Sequence, residues 1–173
     1  MVTNDDKAAP TRNDVVESAI WRALGDVMDP EIPVVSIVEL GIVRDVRVVE
    51  ERCTITLTPT YSGCPATRVI EDDARVAASK VAPGTVEVQT ALAPAWTTDW
   101  VAPEARARLA AFGIAPPARD DGTRVVTLQR RAVRCPQCGS VRTEELSRFG
   151  STPCKAQYRC LDCREPFDYF KPH

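Results

Sequence analysis

The sequence predicts an α+β protein with a small mixed sheet and helices on one face of it, followed by a small all-β ribbon. Helical and strand-like periodicities alternate over residues 14–113, two Cys-x-x-Cys pairs lie near the carboxyl end, and a Pro- and Gly-containing stretch separates these regions. We therefore expect four parts. These are a disordered start over 1–13, an α+β domain over 14–113, a linker over 114–123 and a ribbon over 124–173.

The composition is that of a globular protein. Of the 173 residues, 44% are hydrophobic and 27% are charged, and the formal net charge is -2. The apolar stretches are short and interrupted by charged residues, and the first dozen residues lack both a basic start and an apolar middle. We therefore expect no membrane span and no secretory signal. The expected location is the cytoplasm, where cysteines stay reduced or bind metals.

The first predicted element is an amphipathic helix. Asp14 and Glu17 have the spacing of a capping pair, and apolar residues recur at helical period over 15–27. We expect the helix to end at Asp29, because the residue before a proline, here Pro30, is disfavoured in the helical region.

A short turn and a hairpin are expected next. Ser36 and Glu39 form a second capping pair, and Gly41 closes the turn. Residues 42–49 and 53–58 are rich in β-branched side chains, and polar and apolar residues alternate in the second segment. These patterns predict two adjacent antiparallel strands.

The remaining elements complete the α+β domain. A polar loop over 58–65 leads into a second helix, for which Pro65 suits the first turn. A third strand is expected over 86–91 and a last helix over 103–112. The order helix, strand, strand, helix, strand, helix predicts helices on one face of a mixed sheet.

Four cysteines near the carboxyl end have the spacing of a zinc ribbon. Cys135 and Cys138 form one Cys-x-x-Cys knuckle, and Cys160 and Cys163 form another. Two such turns facing each other supply the four thiolates that Zn²⁺ prefers in a tetrahedral site, and a mononuclear iron site is the alternative.

Strand-like segments surround the knuckles, at 125–128, 141–146 and 167–170, so an all-β zinc ribbon is expected. Cys154 is the spare cysteine of this region. It either replaces a knuckle cysteine as a ligand or is a buried apolar residue.

The balance of charged side chains also changes between the α+β domain with its linker and the ribbon. Residues 1–123 carry 12 basic and 19 acidic side chains, whereas residues 124–173 carry 10 and 5. A basic ribbon is compatible with nucleic-acid binding through Arg130, Arg131 and Arg134. The excess is small for a dedicated nucleic-acid binder, so a protein partner fits at least as well.

One cysteine of the α+β domain stands out. Cys64 lies between Gly63 and Pro65 at the expected start of the second helix, where unpaired N–H groups and the helix dipole would lower its pKa. Such a thiolate could attack a substrate or hold a soft metal, and an inert buried cysteine is the alternative. Cys53, on the inward side of a strand, is expected in the core. His173 is the only histidine, so Cys–His catalytic pairs are unsupported.

Several motifs resemble those of a known family. The segments 29–33 (DPEIP), 37–41 (IVELG), 58–65 (TPTYSGCP) and 94–100 (PAWTTDW) resemble the small domain of iron–sulfur cluster assembly and targeting factors. With the ribbon and its ending at 160–171 (CLDCREPFDYFK), the chain from 14 onward resembles the PaaD family. Its members are accessory proteins of the phenylacetyl-CoA epoxidase system in aerobic phenylacetate degradation.

The resemblance implies which residues act and on what. Residues 14–113 would be an iron–sulfur assembly-type domain in which Asp29, Glu31, Thr60 and Cys64 handle a transient cluster, with Cys64 as its candidate ligand. The Zn²⁺ of the ribbon would be structural.

The resemblance also implies a role and partners. The protein would be a non-enzymatic factor that matures either the reductase with its [2Fe-2S] cluster or the di-iron oxygenase subunit of the epoxidase. Two alternatives remain, namely a structural subunit of the oxygenase and a nucleic-acid-binding zinc-ribbon protein. A homodimer is also left open.

Overall fold

The computed structural model of the chain describes residues 11–117 and 132–172. In chain order, the elements are α1 (Arg12–Gly25), β1 (Val43–Val49), β2 (Arg52–Leu57), α2 (Thr67–Ser79), β3 (Thr85–Thr90), a 3₁₀ turn (Thr98–Trp100), α3 (Pro103–Ala111), β4 (Ile114–Ala115), β5 (Thr143–Ser147), β6 (Lys155–Cys160) and β7 (Pro166–Phe170). The expected α+β class is confirmed. No helix in these two ranges is both long and apolar enough to cross a membrane.

The first sheet is mixed, as the sequence predicts. Its strand order is β1-β2-β3, with β1 and β2 antiparallel and β2 and β3 parallel. Helices α1 and α2 contact each other and pack against this sheet. Cys53, Ile55 and Leu57 of β2 are buried, whereas Thr54 and Thr56 between them are partly exposed. Cys53 is therefore a core residue, as expected.

Helix α1 begins earlier than predicted. The N-cap is Thr11, whose Oγ1 accepts a hydrogen bond from the Asp14 N–H at 3.2 Å, while Asp14 Oδ2 accepts one from the Thr11 N–H at 2.8 Å. Asp14 is thus the third helical residue of a capping box and not the cap. Residues 11–13, expected to be disordered, form the cap and the first turn, and residues 1–10 lie outside the described ranges.

Helix α1 also ends earlier than predicted, at Gly25 and not at Asp29. The segment after it pairs with a later part of the chain: Met28 forms an isolated antiparallel bridge with Ser36, and the Ile37 N–H donates to the Val27 carbonyl at 2.9 Å. These hydrogen bonds take the place of the i to i+4 bonds of a helix, and Asp29 lies in the tight turn between the two paired segments.

The second predicted capping pair is present. The Ser36 N–H donates to Glu39 Oε2 at 2.9 Å, and the Glu39 N–H donates to Ser36 Oγ at 3.2 Å. Gly41 ends this turn at φ +69°, and a Cβ added there would meet the Trp100 Cβ at 2.5 Å and its carbonyl oxygen at 2.8 Å. Glycine is required at this position both by its φ and by this close approach.

The second sheet contains the ribbon strands in the order β4-β7-β6-β5. Strands β5, β6 and β7 are antiparallel neighbours, while Ile114 and Ala115 form β4 and pair in parallel with β7. The expected linker over 114–123 therefore begins as a strand. The sequence patterns did not predict strand β6.

Several predictions fall outside the described residues. They are the remainder of the linker over 118–123, the strand over 125–128, and Arg130 and Arg131.

We call residues 11–113 the body, and residues 114–117 together with 132–172 the ribbon. A small apolar cluster around Val133 and Phe167 belongs to the ribbon alone. Cys154 and Phe170, however, are buried in the main core with body residues such as Leu57. The ribbon is thus packed onto the body and shares its core.

Candidate functional site

Four cysteine sulfurs of the ribbon lie close enough to bind one metal ion. The Sγ atoms of Cys135, Cys138, Cys160 and Cys163 all lie within 4.8 Å of one another. The distance is 3.8 Å between Cys135 and Cys163 and 3.5 Å between Cys138 and Cys160. Four sulfurs bound at about 2.3 Å to one zinc ion would be ~3.8 Å apart. The donor set therefore fits a closed tetrahedral site.

The two knuckles share one backbone design. The Gly139 N–H donates to the Cys135 carbonyl at 2.9 Å, and Gly139 has φ +76°. In the second knuckle, Arg164 occupies the corresponding place after Cys163, with φ +69°. A residue in the left-handed backbone conformation ends each turn. This conformation has no steric cost for Gly139 and some strain for Arg164.

The thiol of Cys160 has a lowered pKa. A hydrogen bond from the backbone N–H of Cys163 lowers the pKa of Cys160 to about 6. Ionisation is therefore easier at Cys160 than at an ordinary cysteine, which favours metal binding at neutral pH. A bound dication would displace the protons of the remaining thiols.

Ion pairs hold the ribbon together and neutralise part of its basic charge. Ser140 Oγ donates to Asp162 Oδ2 at 2.5 Å, and Arg142 donates to Oδ1 of the same carboxylate at 2.7 Å. Arg159 pairs with Glu144 on the neighbouring strand. These arginines are engaged within the ribbon, so they offer less to a phosphate backbone than their number implies.

Three of the four predicted body residues line one narrow cleft. They are Asp29, Thr60 and Cys64, and the cleft is also lined by Ile42, Leu57, Pro59, Thr67 and Ile70. Its volume of about 10 Å³ is near the minimum for a single water molecule. A cluster would therefore lie at the mouth of this cleft, where Cys64 is half-buried.

Asp29 is buried in the turn that follows α1. Its Oδ1 accepts hydrogen bonds from the backbone N–H groups of Glu31 and Ile32, both at 2.9 Å. Burial raises the pKa of the Asp29 carboxyl, while these two N–H groups and the charge of Lys155 act in the opposite direction. Asp29 thus shapes the turn and brings a carboxyl group to the cleft.

Cys64 lies in the turn before α2, which begins only at Thr67. Its carbonyl accepts a hydrogen bond from Thr67 Oγ1 at 2.9 Å. Burial raises the pKa of the Cys64 thiol, and the negative charges of Glu31 and Asp29 raise it further. The expectation of a lowered pKa is therefore wrong, because burial and the two carboxylates outweigh the hydrogen bonds from the Ala66 N–H and the Thr67 side chain, which lower it. Cys64 therefore stays a neutral thiol until a bound cation offsets the cost of forming the thiolate.

Glu31 is a second carboxylate near Cys64, and it lies outside the lining of the cleft. Burial raises its pKa, and so does the charge of Asp29, whereas Lys155 lowers it. It does not line the cleft itself, but its charge acts on Cys64. The structure therefore brings Asp29, Thr60 and Cys64 into one cleft and places Glu31 beside them.

Two buried ribbon residues interact electrostatically with Asp29 and Glu31, which sequence reasoning did not predict. Cys154 is 7% exposed, lies in the main core and stands outside the group of four sulfurs. Lys155 is 4% exposed, with its Nζ 3.5 Å from Asp168 Oδ2. The charges of Asp29 and Glu31 act on Cys154 as they do on Cys64. The one signal in the sequence was that Cys154 is surplus to the two knuckles.

The fold and the two sites define a class of protein, an iron–sulfur assembly-type domain joined to a four-cysteine ribbon. Residues 17–90 match the family described as "Iron-sulfur cluster assembly protein", and residues 119–171 match the "PaaD zinc beta ribbon domain". The chain is 51% identical over 152 residues to an Escherichia coli (strain K12) protein that is named as a subunit of 1,2-phenylacetyl-CoA epoxidase, and the match covers 88% of this chain and 90% of that protein. The chain belongs to the PaaD family.

Other relatives match about half of the chain. The "Fe-S protein maturation auxiliary factor YitW" of Bacillus subtilis (strain 168) is 38% identical over 88 residues, covering 50% of this chain and 85% of that protein. An "Fe-S protein maturation auxiliary factor" of Porphyromonas gingivalis is 35% identical over 95 residues, covering 54% and 90%. A crystal structure of a "Domain of Unknown Function DUF59" from Bacillus anthracis matches with a TM-score of 0.53 and 32% identity, covering 56% of this chain and 93% of that one.

Proposed function

We propose that this protein is a non-enzymatic factor that handles an iron–sulfur cluster during maturation of the phenylacetyl-CoA epoxidase system. The observation that carries the proposal is the thiol of Cys64 at the mouth of a cleft, with the carboxyl groups of Asp29 and Glu31 beside it. This group lies within the part of the chain that matches the cluster assembly family. Permanent clusters usually have four cysteine ligands, so one such thiol suits a cargo that is passed on.

The cluster is the substrate of this site. Cys64 supplies the thiolate ligand, and its proton leaves when iron binds, because the metal's charge offsets the cost of ionisation. Asp29 and Glu31 provide negative charge that favours an iron cation at the cleft mouth. Thr60 lies on the same loop as Cys64 and lines the cleft with it.

The ribbon has a separate, structural task in this proposal. Zn²⁺ held by Cys135, Cys138, Cys160 and Cys163 would stabilise a ribbon whose own apolar cluster is small. The carboxyl-terminal part of the chain, residues 124–173, is also the more basic part, so the ribbon favours an acidic surface on the client protein.

The proposed client is the epoxidase reductase with its [2Fe-2S] cluster. The test is to purify the reductase from cells that lack this protein and from the same cells supplied with the parent, Cys64→Ser or Ser62→Ala. Iron, acid-labile sulfide and the visible spectrum are then measured. We expect full cluster content with the parent and with Ser62→Ala, an exposed change on the same loop, and a deficit with Cys64→Ser and without the protein.

The outcome also discriminates between clients. Equal cluster content in all four reductase samples would reject the reductase as client. An iron deficit in the di-iron oxygenase subunit of the same cells would make that subunit the client.

A second candidate function is that of a structural subunit of the oxygenase. The name of the Escherichia coli relative, which calls that protein a subunit, favours it. A structural subunit would copurify with the oxygenase in fixed stoichiometry through size-exclusion chromatography. A maturation factor would dissociate once its client has been loaded.

A further inference from the structure

We propose that Cys64 binds its cargo as a complete, anionic iron–sulfur cluster, which lies in a larger cavity beside the narrow cleft and pairs there with Arg68. This inference rests on the proposed function, because it concerns the same cargo. It goes beyond that function by naming the form of the substrate, the space that holds it and a positioning residue that the family motifs do not assign.

The first argument is the size of a second space that Cys64 lines. The narrow cleft of about 10 Å³ is near the minimum for a single water molecule. A cavity of about 440 Å³ lies next to it, and its lining includes Cys64, Arg68, Glu71, Thr90 and Leu92. Protein pockets that hold small ligands usually have volumes of about 300–1,000 Å³. Of these two spaces, the larger has room for the irons, the sulfides and further thiolate ligands.

The second argument is that secondary structure holds the walls of this cavity in place. Arg68 and Glu71 lie near the start of α2, and Thr90 is the last residue of β3. Thr90 Oγ1 donates a hydrogen bond to Glu71 Oε1 at 2.5 Å, which joins the two elements at the cavity wall. Just after β3, the Ala91 N–H donates to the Leu57 carbonyl at 2.8 Å and holds this end on the neighbouring strand. The cavity is therefore a preformed feature of the body.

The third argument is the unpaired charge of Arg68. Within residues 11–117 and 132–172, its guanidinium group has neither a hydrogen bond nor an ion pair. Glu71 has the helical spacing of an ion-pair partner for Arg68, but its carboxylate accepts the bond from Thr90 instead. Arg75, two turns further along α2, pairs with Asp72 at 2.6 Å. The N–H donors of Arg68 are thus available to a ligand in the cavity.

The charge of a complete cluster fits this arrangement. The sulfides and four thiolates of a [2Fe-2S] centre carry more negative charge than its ferric ions carry positive charge, so the complete centre is an anion whose sulfurs accept hydrogen bonds. A guanidinium group offers several N–H donors in a fixed planar fork. Cys64 lines one space with the carboxyl group of Asp29 and another with the guanidinium group of Arg68. This arrangement orients a cluster, whereas a bare ferrous ion would gain nothing from Arg68.

The test measures how tightly the purified full-length, zinc-loaded protein binds a preformed [2Fe-2S] cluster that has glutathione as its thiolate ligand. Anaerobic titration followed by visible circular dichroism gives the dissociation constant. We expect Arg68→Met to bind about tenfold more weakly than the parent and Arg68→Lys to recover most of the affinity. Cys64→Ser should lose binding. Arg75→Met is the matched control with parental affinity, because it removes the same charge from the same helix but from an arginine that is paired with Asp72 and does not line the cavity.

Two further measurements separate the effect of charge from an effect on folding. Added salt should weaken cluster binding more in the parent than in Arg68→Met, because screening acts on the charge pair that the variant lacks. Ferrous iron alone, a cation, should bind Arg68→Met at least as tightly as the parent.

Filling the cavity tests its role directly. Leu92 lines the cavity and is 60% exposed, so Leu92→Trp should fold normally and bind the cluster more weakly. Leu146→Trp is the control, because Leu146 is also exposed but lies on β5 of the ribbon. It should bind like the parent.

The inference and the proposed function fail differently. Parental affinity in Arg68→Met would reject the role of Arg68, and so would equal weakening in Arg75→Met. Parental affinity in Leu92→Trp would reject the cavity as the place of the cluster. In each case, loss of binding in Cys64→Ser would leave the proposed function intact. Failure of the parent itself to bind a cluster would reject both.

Discussion

The rings of Trp96 and Phe170 lie with their centroids 5.9 Å apart, one in the body and the other in the last strand of the ribbon. The indole N–H of Trp96 donates to the Leu40 carbonyl at 2.9 Å, which ties this contact to the turn before β1. The aromatic pair therefore fastens the ribbon to the body, and the stabilities of the two parts are coupled.

Phe170→Ala should strongly destabilise the protein. Phe170 is 1% exposed in the shared core, and truncating such a phenylalanine costs about 3–5 kcal/mol. Urea unfolding of the zinc-loaded protein measures the loss. Phe149→Ala is the control, because Phe149 is 67% exposed, and its effect should stay within about 0.5 kcal/mol. Similar small effects for both would contradict the shared core.

Cys160→Ser should abolish zinc binding, whereas Cys154→Ser should not. Cys160 is one of four sulfurs within 4.8 Å, and removal of one leaves an incomplete site. Elemental analysis of the purified proteins should find about one zinc per chain in the parent and in Cys154→Ser. Zinc retention in Cys160→Ser together with zinc loss in Cys154→Ser would exchange the two cysteines in the ligand set.

Gly41→Ala should be much more costly than Gly25→Ala. At Gly41 a methyl group would meet Trp100 backbone and Cβ atoms at 2.5–3.1 Å, in a backbone conformation with φ +69°. The left-handed conformation alone costs about 1–2 kcal/mol for an L-residue, and the clash adds to it. Nothing lies within 4 Å of a Cβ at Gly25, so alanine there should be neutral or slightly stabilising. Thermal unfolding of the two variants gives the comparison.

Glu39→Gln should destabilise the protein at neutral pH and lose its effect in acid. Burial alone would raise the pKa of Glu39, but hydrogen bonds from the Ser36 N–H and from Arg108 outweigh burial and hold the pKa below its ordinary value. A lowered folded-state pKa means that the stabilisation is present above the unfolded-state pKa and is lost as the pH falls through the folded-state value.

The expected difference in the free energy of unfolding between parent and Glu39→Gln is about 1 kcal/mol at pH 7. It should shrink towards zero below about pH 4. Urea unfolding at several pH values checks it, with the exposed Glu87→Gln as a control that should show little effect. A difference that stays constant down to about pH 3 would contradict the ionised pair.

Local patterns determined most of the elements. The capping pair of Ser36 and Glu39, the hairpin of β1 and β2, and the two Cys-x-x-Cys knuckles depend on residues a few positions apart, so their spacing in the sequence is enough to predict them. Asp29 and Cys64 were predicted as site residues from their resemblance to family motifs, and the structure places both in the lining of one cleft. Helix ends were less predictable, because the Met28–Ser36 bridge competes with the last turn of α1.

Tertiary packing decided what the local patterns could not. The low pKa expected for Cys64 followed from its position near a helix start, whereas its actual environment depends on burial and on carboxyl groups more than thirty residues away in the sequence. No pattern in the sequence places Cys154 in the main core, or Lys155 where its charge acts on Asp29. They reach these positions because the ribbon buries Phe170 against Trp96. Burial of apolar surface is non-directional, so only the assembled core determines which polar groups come to lie together.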